Sequence, residues 1–172
     1  MKERGAGPQG SPVRTLSIFV NVLWIGGIIL LILNTGHVLF MLLMSPSPLV
    51  EEKGLIYAGS MYFAVLLSEA VFLWIIYHLR KLLKTVEQGN PFEKRNPVWI
   101  RHIAHGFFFW IPFQVIETIM SKGISYTFKT DYWVGVLFFK IMLPLFIGMV
   151  ILVIARVFEA GVRMQQDQSL TI

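Results

Sequence analysis

The chain has 172 residues, 55% of them hydrophobic, 14% aromatic and only 15% charged, with a mean hydropathy of +0.65 and a formal net charge of +5. Soluble domains carry charge on roughly a quarter of their residues, so this is the composition of an integral membrane protein, and its basic excess bears on topology before nucleic acid. Cysteine is absent, which excludes thiol–disulfide exchange, thiolate metal sites, iron–sulfur ligation and S-palmitoylation.

A bilayer core of about 30 Å requires roughly 20 apolar helical residues, and four runs meet or approach that length. Residues 1–15 form a short polar segment before the first run, which covers 16–43. That run is too long for the core of a signal peptide and no small-residue cleavage site follows it, so it reads as a retained helix. Its Gly27, Asn34 and His37 make a small, polar stripe. The second run, 56–77, carries Glu69 at mid-span and is followed by His78. The third, 103–120, is the shortest and contains Pro112, tolerable in a membrane helix where neighbours satisfy the freed carbonyl. Gly106, Trp110, Gln114 and Glu117 mark its polar side. The fourth, 132–158, places Lys140, Pro144, Gly148 and Ala155 on one face, small and polar enough to point into a bundle. Residues 161–172 are a polar tail. The expected fold is all-α, with residues 16–160 forming one transmembrane domain of four helices in a single bundle.

The connection between the second and third runs is the polar, basic stretch KTVEQGNPFEKRNPVWIRH, Lys84 to His102. Eleven Lys and Arg residues fall in the N-terminal segment, in the stretch between the second and third runs from Arg80 to Arg101, and at the inner end of the last run and beyond it (Arg156 and Arg163), against three in the other two loops. The positive-inside rule therefore places both termini and the middle loop in the cytoplasm. Asn90, Pro91 and Glu93 have capping-box spacing, which predicts a short turn of surface helix around Phe92. Asn96 with Pro97 starts the third helix, and Trp99 sits where an interfacial aromatic belongs. Pro91, Phe92, Lys94, Arg95, Asn96, Trp99 and Arg101 are thus the candidate loop surface, either a topology anchor touching anionic headgroups or a dock for a cytoplasmic protein.

The run LLKTVEQGNPFEKRNPVWIRHIA and the ending VFEAGVRMQQDQSLTI resemble the signature of a group of small bacterial membrane proteins, the YoaS-like family, domain of unknown function twenty-nine seventy-five. The resemblance covers the chain after residue 15. It implies four helices in a bacterial cell membrane, and a small helix-turn-helix regulator encoded nearby as a partner. It assigns no catalytic residue. The tail departs from the family by carrying Gln165, Gln166 and Gln168 where acidic residues are usual.

Ionisable groups inside a membrane are costly, so each is a functional candidate until a structural partner accounts for it. At about 1.5 Å per residue, Glu69 lies roughly 16–20 Å and Lys140 roughly 12 Å below the outer face, so the two are expected to pair, with Glu117 a competing partner. Together with Asn34, His37 and Gln114 they define an outer-half polar cluster. It reads either as a register-fixing hydrogen-bond network or as a proton, cation or small-ligand site. His102 and His105 stand at i, i+3 with His78 at the same depth, the convergence a metal or haem needs, although histidines beside a basic loop are ordinarily solvated. No metal or other cofactor is assigned.

No Gly-rich phosphate loop, nucleophile elbow or zincin helix is present, and the soluble segments are too short for a catalytic domain. The chain is therefore expected to be no enzyme but a multi-pass inner-membrane regulatory or partner-binding module. Its partners would be the lipid bilayer, a cytoplasmic protein and a second copy of itself, with no direct contact to nucleic acid. The alternative is a small transporter or ion-coupled carrier using Glu69, Glu117 and Lys140. A carrier predicts an inverted repeat, and the two helix pairs show no internal similarity. A lipid or quinone enzyme is a third reading, without visible nucleophile and base.

Overall fold

The computed structural model describes residues 12–43, 54–122 and 135–170. The connections 44–53 and 123–134, which include the first three residues of the expected fourth span, lie outside these. Helix α1 (Pro12–Leu43) opens on a proline, whose missing N–H costs nothing at a helix start. Helix α2 (Leu55–Glu87) continues ten residues past the expected span end at 77, because Leu79, Leu82, Leu83 and Val86 keep an apolar face at helical spacing while Lys84 is exposed and Arg80 bonds to Asn21 of α1. Gly89 then stops it: at φ 75° its N–H reaches the Val86 carbonyl at 3.0 Å, a left-handed cap that a side chain would strain. Helix α3 (Asn96–Lys122) starts at the second Asn-Pro pair, as expected, and carries Pro112 in its interior.

The last span begins as a π-helical stretch, Val136–Met142, and runs on as α4 (Leu143–Leu170). Pro144 cannot donate to the carbonyl of Lys140, and the widened turn just before it accommodates the loss: Leu143 N–H bonds back to Phe138 O. Four helices among the described residues are long and apolar enough to cross a membrane.

Successive helices run antiparallel, and among the described residues each touches only its neighbours in sequence: α1 lies on α2, α2 on α3, α3 on α4. Within the expected bundle the helices therefore lie as an open row. Val20 is the one buried residue among the described side chains of α1, and it packs with Ile76 and Leu83 of α2. The small residues expected at interfaces are there. A Cβ on Gly27 would stand 2.7 Å from Leu73, one on Gly148 would stand 2.6 Å from the Phe108 ring, and one on Gly106 would fall on Ile75. Pro144, Gly148 and Ala155 are buried, so that face of the last span does point inward. No helical turn forms around Phe92: the Asn90 carbonyl accepts from Glu93 N–H at 3.3 Å in an isolated turn, and Asn96 N–H then returns to the Glu93 carbonyl at 2.9 Å.

Candidate functional site

Because the row is open, the polar stripes meet pairwise and not at one centre. Between α1 and α2, Asn34 Nδ2 donates to Glu69 Oε1. The preceding residue, Ser68, is buried and its Oγ accepts from Trp110 Nε1 at 2.6 Å and from Gln114 Nε2 at 2.9 Å on α3. One turn on, the Thr118 hydroxyl donates to the Gln114 carbonyl at 2.7 Å and accepts from Lys140 Nζ at 2.8 Å. A seam of polar contacts thus crosses from α1 to the π-helical stretch of the last span. A cavity of about 350 Å³ opens on it, lined by Ser68, Glu69, Phe72, Trp110, Gln114 and Glu117. Glu69 Oε2 is buried without a hydrogen-bond partner among the described residues.

Two expectations are corrected here. Glu69 and Lys140 form no ion pair: the carboxylate is taken by Asn34 and the ammonium by Thr118, since α2 and the last span are not in contact. His37 is exposed on α1 and takes no part in the seam. Glu117 lines the cavity as a second carboxylate. Ser68 and Thr118 went unsingled in sequence because lone hydroxyls in apolar runs carry little signal. Their adjacency to Glu69 and Glu117 was the available clue. With separate partners, Glu69→Gln and Lys140→Met should act on detergent thermal stability additively, within about 0.3–0.5 kcal/mol. A coupling well above that would show that the two charges meet after all.

Towards the loop end, His78 is buried and its Nδ1 lies 2.9 Å from the Trp74 carbonyl, which fixes the proton on Nδ1. Its Nε2 is then an acceptor for His102 Nδ1–H at 3.1 Å. His105 is exposed and stands outside this pair. Among the described residues no group of three His, Asp or Glu could hold a metal ion.

The loop is tied down from within. Asn96 is 0% exposed; its Nδ2 donates to the Pro91 carbonyl at 2.8 Å and its Oδ1 accepts from Thr85 Oγ1 at 2.9 Å. Phe92 reaches α4, its ring 5.8 Å from that of Phe158 and seated on Gly161, where a Cβ would stand 2.7 Å away. Arg101 bonds Glu159, which also accepts from Arg163 at 3.1 Å. Trp99 lies 5.8 Å from the Lys81 ammonium. Lys94 and Arg95 stay exposed on a groove of about 450 Å³ between the loop and the α4 tail, with Asn90, Glu93, Gln165 and Gln166.

An all-helical chain with four antiparallel apolar helices, a polar seam within and a basic cap at one end has the make-up of a multi-pass membrane protein. More particularly, it belongs to the DUF2975 family of proteins of unknown function, which it matches over residues 16–172. No curated protein and no solved structure matches it.

Proposed function

We propose that this protein is a partner-binding regulatory module of the bacterial inner membrane, with both termini and the loop between α2 and α3 in the cytoplasm and no chemistry of its own. The observation that carries the reading is the cap: Phe92 and Arg101 bind the loop region to α4, leaving Lys94, Arg95, Gln165 and Gln166 around one preformed groove. A loop held rigid from below while its polar rim stays exposed is what a docking surface requires, since ordering costs are met before the partner arrives. Its charge suits an acidic segment of a cytoplasmic protein. The small helix-turn-helix regulator implied by the family resemblance is the first candidate. The exposed apolar sides of α1 and α4 face lipid or a second copy.

Cysteines placed at Gln88 and Gln168 should be labelled from the cytoplasm only, and one at Lys53 only from outside. A photocrosslinker at Lys94 or Gln165 in native membranes should then capture a cytoplasmic protein; adducts to lipid and self alone would remove the docking reading. Phe92→Ala should weaken that capture and loosen α4 together, because the ring holds the groove's wall.

One observation favours a carrier instead. A buried carboxylate oxygen without a partner, in a cavity shared with Glu117, is an arrangement suited to taking up a proton or cation. Reconstituted vesicles decide: a cation or proton flux abolished by Glu69→Gln and kept by changes at Lys94 and Arg95 would establish the carrier.

A further inference from the structure

A second basic feature lies beside the loop, in the crevice between α1 and α2. It has a volume of about 370 Å³ and is lined by Ser17 and Asn21 from α1 and by Tyr77, Arg80, Lys81 and Lys84 from α2, with Glu87 as its one carboxylate. Two of the cations are held in place by neutral groups. Arg80 Nε donates to Asn21 Oδ1 at 2.7 Å and its guanidinium carbon lies 5.2 Å from the centre of the Trp24 ring. The Lys81 ammonium lies 4.3 Å from the Tyr77 ring centre. Among the described residues none of Arg80, Lys81 and Lys84 forms an ion pair, while Arg101 and Arg163 at the same end share Glu159. Two oriented cations and the exposed Lys84, set beside Ser17 and Asn21 against the single carboxylate of Glu87, leave the crevice with an excess of positive charge and short of an acceptor.

The surroundings say what form the acceptor takes. Trp24, Tyr77 and Trp99 gather at this level, as aromatic side chains do where hydrocarbon gives way to headgroups. From there α1 exposes Ile25, Ile29, Ile32 and Leu33 along its length, a path for acyl chains. Basic crevices between membrane helices at the headgroup level bind anionic lipid phosphates. We infer that the α1–α2 crevice is a binding site for the phosphodiester headgroup of an anionic phospholipid, gripped by Arg80, Lys81 and Lys84 and seated against Asn21 and Ser17. The bound lipid neutralises the crevice and bridges α1, which touches no other helix among the described residues, to α2.

The test uses the full chain in detergent and native mass spectrometry with phosphatidylglycerol and phosphatidylcholine of equal acyl chains. Phosphatidylglycerol should be retained preferentially, and Lys81→Gln/Lys84→Gln should reduce its retention at least about tenfold while leaving phosphatidylcholine unchanged. Lys94→Gln/Arg95→Gln removes the same charge from the loop and should leave retention intact. Equal binding of the two lipids, or equal loss in both double variants, overturns the site in favour of bulk charge. Inorganic phosphate serves as the soluble arm: if it raises thermal stability as much as phosphatidylglycerol does, the site takes a free anion and the lipid assignment falls. Should the crevice variant melt early without lipid, the exposed single change Lys84→Gln gives the same reading at smaller amplitude.

Discussion

Asn96→Ala should lower the stability of the detergent-solubilised protein by about 2–3 kcal/mol, a fall of roughly 4–12 °C in melting temperature. Asn96 is fully buried and joins three pieces of chain: the end of α2 through Thr85, the loop through Pro91 and the start of α3 through its own backbone. The alanine leaves the Pro91 carbonyl without its donor and opens a small void. Thr85 suffers less, since its hydroxyl proton can pass wholly to the Leu82 carbonyl at 2.8 Å. Thr85→Val should therefore cost clearly less than Asn96→Ala. Asn96→Asp is the sharper probe, because it is nearly isosteric but sets an oxygen against the Pro91 oxygen. It should be at least as harmful as alanine. A change within about 0.5 kcal/mol for all three would mean that the loop is not held from this residue.

Asn96 also shows how much of the molecule was legible in sequence. The Asn-Pro pairs marked both ends of the turn, and the second one started α3 where expected. What the spacing could not reveal is which way the side chains face. Pro91 and Glu93 suggested a capped helical turn around Phe92, whereas the loop takes its shape from a tertiary bond to Thr85 and from the Phe92 ring on α4. The same limit explains the seam. Depth along each helix placed Glu69, Gln114 and Lys140 in one layer, and they do lie along one line of contacts. The lateral order of helices is not a property of depth, so depth alone does not say which stripes face one another. In the open row α2 and the last span do not meet, so Asn34 and Thr118 take the contacts that a Glu69–Lys140 pair would have made.

Gly106→Ala and Gly59→Ala should move stability in opposite directions, although each adds one methyl group to a helix. In a helix the exchange alone favours alanine by roughly 0.5–1 kcal/mol, because glycine loses more backbone freedom on folding. Gly59 has open space where the methyl would go, so that gain should appear nearly in full. Gly106 is buried against α2, and its new Cβ would fall on Cγ1 of Ile75. Ile75 is itself buried, and its β-branched side chain cannot swing away at χ1, so relief requires α2 and α3 to separate. Overpacking of this kind costs about 1–3 kcal/mol and should outweigh the helical gain. The separation would also draw His102 from His78, whose ring nitrogens sit 3.1 Å apart one turn nearer the loop end. Shortening Ile75 to alanine in the Gly106→Ala background should recover part of the loss, which distinguishes a clash at this contact from a general intolerance of α3. If Gly106→Ala melts as high as Gly59→Ala, the close approach of α2 and α3 is not what fixes their spacing.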